Sequence, residues 1–375
     1  MIPRTRQRQV DRRSFSRRRC LVASLLPVLA TRNVLSTNGQ GIEDLYVPDR
    51  IDRSIERGID ALLRQQQDDG SIADRGHATA MTSLAIMALA AVGIVADQKT
   101  PQGLALHRAI EYVLNPRNQD GGYFGQRDGS RMYGHGITTL MLTEILGMGS
   151  SIEQNRRIHD SLTEALKIIL KSQAVVKPPK LQGGWRYTPS AQDSDLSVSV
   201  WQVMALRSAK NDGLDVPLEA IEQAVDYLIN SFVSPLDENG QPRDQVSGFA
   251  YTPGTHHPSF TMTAAGLLAM QTCGQYDSPL VAAAARWLLQ HTPNRGDRYF
   301  FYGMYYYAQG MHQVGGEAAE VAGKVTSDEL LELQSDAGHW ISEHGEERNI
   351  GMVYSTALAI LSLGVRYHYL PIYQR

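Results

Sequence analysis

The chain has 375 residues, of which 42% are hydrophobic and 20% are charged, so it is long and apolar enough to fold around a sizeable core. Its formal net charge is −3, which becomes −10 without residues 1–30, because those residues hold eight arginines and one aspartate. These values exclude a largely disordered chain, and the acidic remainder argues against a nucleic-acid partner.

Residues 1–30 have the features of an export signal. Eight arginines precede an apolar run over 21–30 that is too short to span a bilayer stably. The segment Arg12-Arg13-Ser14-Phe15 resembles the twin-arginine signal of bacteria. We therefore expect cleavage after Ala30, a linker over 31–47, and a periplasmic or extracellular protein without a transmembrane segment.

The arginine pair can be tested directly. Replacing Arg12 and Arg13 with lysine should leave uncleaved precursor in the cytoplasm, because such signals are recognised by a receptor. Pulse labelling followed by cell fractionation measures the uncleaved fraction. Export of the double variant at the wild-type rate would contradict this localisation.

From residue 48 onward one pattern occurs six times: an amphipathic helix, a loop with an aromatic residue and usually glycine, and an almost uncharged helix. An uncharged helix must be buried on all sides, and closing the array into a ring provides that burial. An open solenoid is the competing architecture. The sequence thus predicts an all-α, single-ring (α/α)6 toroid over 48–375, with outer helices from 51, 104, 158, 218, 278 and 328 and inner helices over 78–92, 136–146, 196–209, 259–272, 302–314 and 353–363.

The loops resemble those of the squalene-cyclase and protein-prenyltransferase superfamily. That superfamily places glutamine shortly before glycine and an aromatic residue, as in Gln-Asp-Gly-Gly-Tyr over 119–123 and Gln-Gly-Gly-Trp over 182–185. The resemblance covers residues 48–375 and implies the same toroid of helix pairs. Because one fold supports many functions, each chemistry of the superfamily has to be tested on its own residues.

Two of these chemistries lack their residues. Prenyltransferases hold zinc with Asp-x-Cys and a later histidine, whereas Cys273, the only cysteine after residue 30, has Gln271 two positions before it. Complement-type thioester domains need Cys-Gly-Glu-Gln, whereas this chain has Cys-Gly-Gln at 273–275. The histidines show no short ligand spacing. We therefore expect no metal and no cofactor.

The third chemistry is that of class II cyclases, whose Asp-x-Asp-Asp motif is resembled by Asp193-Ser194-Asp195-Leu196. The resemblance implies Asp195 as a general acid supported by Asp193, although Leu196 replaces the third aspartate. Alternatively, Asp195 is an N-cap, since it directly precedes an apolar helix. A third possibility is the carboxylate pair of an (α/α)6 glycosidase, drawn from Asp193, Asp195 and Glu144.

A ligand site is predicted where the loops lead into the inner helices. The helix N-termini should gather at one end of the ring and favour an anionic head group, while aromatic side chains line the lumen. Alternatively, loop aromatics such as Trp185 and Trp340 only clamp neighbouring repeats together. The predicted ligand-binding residues are Arg131, His135, Trp185, Arg186, Tyr187, His256, Tyr302, Tyr305 and Tyr306.

Two functions remain open from the sequence. One is an exported binding or scaffold ring for an apolar or amphipathic anionic ligand, such as an isoprenoid or another lipid, or for a protein partner. The other is a small class II cyclase-like enzyme that acts on an isoprenoid, with Asp195 as a metal-independent acid. Because every catalytic motif is incomplete, the sequence favours the binding ring.

Overall fold

The computed structural model describes residues 47–373; the export signal and nearly all of the linker lie outside the described residues. Twelve α-helices alternate between an outer and an inner layer, and residues 47–373 contain no β-strand. None of these helices is long and apolar enough to cross a membrane. The outer helices are α1 Arg50–Leu63, α3 Pro101–Leu114, α5 Ile152–Gln173, α7 Leu218–Asn230, α9 Pro279–Gln290 and α11 Gly316–Leu333, and the inner ones are α2 Ala78–Ala90, α4 Arg131–Glu144, α6 Leu196–Asn211, α8 Phe260–Thr272, α10 Phe300–Val314 and α12 Met352–Leu363.

The inner helices form a closed ring. Each packs against the next inner helix along the chain, and α12 packs against α2 and α1. Their composition explains the arrangement, since a helix such as α2 is apolar on every face and all of its residues after Ala78 are buried. The structure therefore confirms the (α/α)6 toroid and its closure through the last helix.

Three helices begin at least five residues earlier than the sequence indicates, and one of them is α5, which starts at Ile152 and not at 158. Helix α4 starts at Arg131 and includes Gly134 and Gly136, where an added Cβ would lie 1.7 Å from Ser130 Oγ and 2.2 Å from Gln202 Nε2. These glycines serve close packing within a helix and do not mark a loop. Helix α11 starts at Gly316 and not at 328. The sequence pattern does not show this early part because its buried stripe begins with small residues, which give a weak apolar signal.

All six inner helices begin at the same end of the ring, which we call the mouth. At the mouth, the loop that leads into one inner helix binds the N-terminal N–H groups of the inner helix that comes before it in the ring. We call this arrangement next-loop capping. Helix α8 differs, because its own Ser259 accepts from the Met262 N–H. The bonds of next-loop capping run from Ala80 N to Asp128 (3.0 Å), Met132 N to Tyr187 O (3.1 Å), Leu196 N to Tyr251 O (2.9 Å), Phe301 and Tyr302 N to Glu347 (both 2.9 Å), and Met352 and Val353 N to Asp74 (2.7 and 3.1 Å).

This capping contradicts the predicted anion site at four of the six inner-helix N-termini. Carboxylates of the chain itself bind the starts of four inner helices: Asp74 at α12, Asp128 at α2, Asp195 at α6 and Glu347 at α10. A negatively charged ligand placed there would have to displace a carboxylate that already satisfies these N–H groups. These four helix starts therefore supply no free anion site.

The opposite end of the ring is covered by the segment after α12. The backbone N–H of Ile372 donates to Glu144 Oε2 (3.0 Å), and Arg366 forms an ion pair with Asp49 (2.7 Å) at the start of α1. Leu370 is buried in the same segment. These contacts hold the C-terminal segment of the chain against α4 and against the start of the first helix, α1.

Candidate functional site at the mouth

Asp195 lies at the start of α6 and is completely buried (0% exposed). One carboxylate oxygen accepts from the Val198 N–H (2.9 Å) and from Ser197 Oγ (2.5 Å), and the other accepts from Arg186 Nη1 (2.9 Å). The N-cap interpretation is therefore confirmed. Burial raises the pKa of Asp195 above its ordinary value, and the hydrogen bonds and Arg186 only partly oppose that effect.

Arg186 joins the residues that we call the mouth cluster: Arg186, Tyr187, Asp193, Asp195 and Tyr251. Its guanidinium binds both carboxylates, with Nε 3.3 Å from Asp193, and lies 4.6 Å from the Tyr187 ring centre and 5.6 Å from that of Tyr251. The two tyrosine hydroxyls contact each other. Because Arg186 is fixed from several sides yet 24% exposed, the cluster offers a rigid, partly open polar surface with aromatic walls.

Glu347 is a second buried carboxyl at the mouth, and the sequence analysis missed it. It accepts from the Phe301 and Tyr302 N–H groups and from the Tyr354 hydroxyl (3.3 Å). Burial raises its pKa to about 7 against the lowering effect of these bonds. The only sequence signal is an acidic residue in the loop before an inner helix, a feature shared with Asp74 and Asp128.

The centre of the ring is filled with aromatic side chains. Trp201 of α6 stacks on Tyr305 of α10 with ring centres 5.7 Å apart, and its indole N–H donates to the Tyr302 hydroxyl (2.8 Å). That hydroxyl donates to Ser197 O (2.8 Å) and accepts from Tyr306 (3.1 Å). Tyr302, Tyr305 and Tyr306 do face the lumen, but there they are buried packing residues, so a tail could enter only by displacing them.

Trp185 and His135 are also structural, contrary to the prediction that they bind a ligand. Trp185 is fully buried and donates its indole N–H to Ile169 O of α5 (2.9 Å), as Trp340 does to Leu330 O of α11 (2.7 Å). These bonds hold each tryptophan to the outer helix of its own repeat, so both are packing residues. Trp340 also reaches the neighbouring repeat, since a Cβ added to Gly58 of α1 would lie 2.7 Å from its ring. His135 is fully buried beneath Phe124, and burial lowers its pKa to about 4, which keeps the imidazole neutral.

Arg131 and His256 are exposed at the mouth end, outside the contacts of the mouth cluster. Arg131 begins α4 in a left-handed conformation with φ 57°.

Cys273 is buried, and burial raises its pKa to about 12, so it is a poor nucleophile or metal ligand. Residues 47–373 bring together no group of three histidine, cysteine or acidic side chains that could hold a metal.

Glu144 cannot form a catalytic pair with Asp195. It accepts from Ser208 Oγ (2.7 Å), which lies on α6 13 residues beyond Asp195, or about 20 Å along the helix. Glycosidase carboxylates lie about 5–9.5 Å apart. Glu144 therefore belongs to the opposite end of the ring, and only Asp193 and Asp195 of the predicted set come together.

The buried carboxyls predict how stability depends on pH. Burial raises the pKa of Glu144 and of Glu347 from 4.5 to about 7, so the folded protein binds more protons than the unfolded chain between these values. Stability should therefore fall as the pH rises from about 5 to 7. We expect a lower Tm at pH 8 than at pH 5.5 by scanning calorimetry. Glu144→Gln and Glu347→Gln should each reduce this difference, and an unchanged difference in both variants would contradict the assignment.

The comparisons with known proteins bear on the fold. No family model matches the chain, and no curated protein matches it. Among solved structures, cellobiose 2-epimerase from Bacillus thermoamylovorans has a TM-score of 0.58 at 11% identity, with 84% of this chain and 98% of that one covered. The GH76A α-1,6-mannanase of Salegentibacter sp. HEL1_6, solved with α-1,6-mannotriose, has a TM-score of 0.57 at 10% identity, covering 86% and 100%.

A third similar structure is a possible GH105 member from Salmonella enterica, with a TM-score of 0.54 at 13% identity and coverage of 87% of this chain and 96% of that one. At these identities the similarity establishes the fold alone. It supports the (α/α)6 toroid class, but not the finer resemblance to squalene cyclases. It also gives no support to an isoprenoid or lipid ligand.

Proposed function

We propose that this protein binds a carbohydrate at the mouth cluster. The observation that carries the proposal is Arg186, a guanidinium fixed by two carboxylates between two tyrosine rings and still partly exposed. Sugar hydroxyls can donate to Asp193, which is 55% exposed, and accept from the Arg186 edge, while a tyrosine ring takes the apolar face of the sugar. The preorganised groups reduce the entropy lost on binding.

Two further arguments favour a carbohydrate over an apolar ligand. The ring centre is filled by Trp201 and the tyrosines of α10, so an apolar ligand could not enter it without displacing them. In addition, similar toroids include a mannanase and a cellobiose epimerase, which act on carbohydrates according to their names. A shared fold alone does not establish a shared function, so this argument is secondary to the geometry of the mouth cluster.

A second candidate function is that of an enzyme acting on the bound carbohydrate. It is favoured by Glu347, whose pKa of about 7 would keep a proton available near neutral pH. Asp195, with its raised pKa, lies at the same mouth. Both carboxyls are fully buried and engaged in capping, so catalysis would require one of them to be uncovered. Binding is therefore the primary proposal.

Calorimetric titration with neutral manno-, gluco- and galacto-oligosaccharides tests the binding. Asp193→Asn should weaken the best ligand about tenfold, because it removes a charge-assisted hydrogen bond. Asp160→Asn is the matched control: Asp160 pairs with an arginine on the outer face of α5 and is 58% exposed, yet lies outside the mouth cluster. Absence of saturable binding, or equal effects of the two variants, would refute the proposal.

The same ligands distinguish the enzyme from the binding ring. Each is incubated with wild type and with Glu347→Gln, and products are separated by chromatography. Turnover by wild type that is lost in a variant with intact binding would establish the enzyme. Binding without turnover would leave the ring as a carbohydrate-binding protein.

A further inference from the structure

A separate cavity of about 280 Å³ opens between the loops that precede α2 and α4. We call it the rim pocket. None of its lining residues belongs to the mouth cluster, and most of them are polar. The polar lining consists of Arg75, His77, Thr79, Tyr112, Asn118, Arg127 and Asp128.

The charges in the rim pocket are unbalanced. Asp128, its only carboxylate, is fully engaged: Oδ1 accepts from the Ser130 N–H (2.9 Å) and hydroxyl (2.6 Å), and Oδ2 accepts from the Ala80 N–H (3.0 Å). Arg127 forms no ion pair with any residue in 47–373, and Arg75 donates only to the Arg348 carbonyl (2.9 Å). Two guanidinium groups thus face the pocket without a carboxylate partner, which favours an anionic ligand.

His77 adds a directed group to the same pocket. It has left-handed backbone angles (φ 63°, ψ 43°), which a residue other than glycine adopts at a cost. Its Nδ1 lies 2.9 Å from the Asp128 carbonyl oxygen. Because a carbonyl only accepts, Nδ1 carries the hydrogen, and Nε2 is the nitrogen available to a ligand.

The remaining lining suits hydroxyl groups. Asn118 donates its amide to the Tyr112 carbonyl and keeps its side-chain oxygen as an acceptor, and the half-buried Tyr112 provides an aromatic wall. The pocket therefore combines two unpaired cations with neutral donors and acceptors. A bare inorganic anion would use only the first of these features.

We propose that the rim pocket binds a carboxylate-bearing sugar residue, a uronic acid, with its carboxylate on Arg75 and Arg127. Arg75 also contacts the backbone next to Glu347, so the pocket adjoins the loop of that carboxyl. The sugar part of the ligand rests on the proposed carbohydrate function. The anion site rests on the charges of the rim pocket alone.

The test compares glucuronate, glucose and inorganic phosphate by isothermal titration of the wild-type protein. Glucuronate should bind at least about tenfold more tightly than glucose, and phosphate should not displace it at equal concentration. Arg75→Gln and Arg127→Gln should each weaken glucuronate about tenfold. Arg117→Gln is the control, because Arg117 is exposed in the same segment as Arg127, between α3 and α4, but does not line the pocket. This variant should leave the affinity for glucuronate unchanged.

Each opposing outcome overturns a defined part. Equal affinity for glucose and glucuronate, or silent Arg75 and Arg127 variants, would exclude the anion site. Displacement of glucuronate by phosphate at equal concentration would show that the sugar ring adds nothing to the affinity, and would exclude a uronic acid as the specific ligand. If glucuronate binding were lost in Asp193→Asn but not in Arg127→Gln, the ligand would belong to the mouth cluster. Glucuronate binding without any neutral oligosaccharide binding would support the rim pocket while refuting the function proposed for the mouth cluster.

Discussion

A chain that ends after Ile350 should unfold throughout its length. The truncation removes α12, which packs against α1, α2, α10 and α11 and closes the inner ring. It also leaves Asp74 without the two N–H groups that it caps and exposes the apolar faces of both neighbouring repeats. Because a ring has no polar terminal repeat, the remaining helices cannot rebury these surfaces.

Far-ultraviolet circular dichroism and urea titration measure this effect. A chain that begins at Pro48 keeps all twelve helices and should retain its helical signal and cooperative transition. The chain ending at Ile350 should lose most of the signal. Retention of all but the contribution of one repeat, with a transition near that of the control, would indicate an open solenoid.

Trp201→Ala should cost about 3–5 kcal/mol of the free energy of unfolding, since it empties a tryptophan-sized volume in a closed core. The side chain is buried at the centre of the ring, stacks on Tyr305 and donates to Tyr302. Its loss removes contacts between helices that are not neighbours in the ring. Urea unfolding at constant pH measures the difference.

Trp287→Ala provides the control, because it removes the same side chain from the outer helix α9, where Trp287 stacks on His291 (3.8 Å). That variant should lose much less stability. Similar losses for the two tryptophans would mean that the ring centre is not the tightly packed core described above. Trp201→Phe should recover part of the loss, since it restores an aromatic ring.

The predictions that held rest on local relations in the sequence. Asp195 could be recognised as an N-cap because it immediately precedes an apolar helix, and the structure places its carboxylate on the Val198 N–H. Similarly, helix periodicity and the loop glycines locate all twelve helices, and nine of them begin within three residues of the predicted start. The early part of α11 escaped because alanine gives little contrast between the faces of a helix.

What could not be predicted depends on partners far apart in the chain. Nothing in the loop before α12 distinguishes Glu347 from the exposed Glu343 and Glu346, because its burial follows from the position of α10. Likewise, periodicity indicates that at least one of the consecutive tyrosines over 305–307 faces the lumen, but not that Trp201 fills the space opposite Tyr305. Whether a ring encloses a cavity or a packed core is decided by pairs of side chains across it.

Next-loop capping has a consequence for how such a ring can change in evolution. Five of the six inner helices receive a cap from the loop that leads into the next inner helix, the last of these bonds being made by Asp74 on α12, whereas α8 is capped by its own Ser259. Deleting or duplicating a single pair would leave one helix start facing a loop of the wrong length or chemistry. The number of repeats is therefore fixed by hydrogen bonding as well as by curvature, and loop sequences should change jointly with the helix that precedes them in the ring.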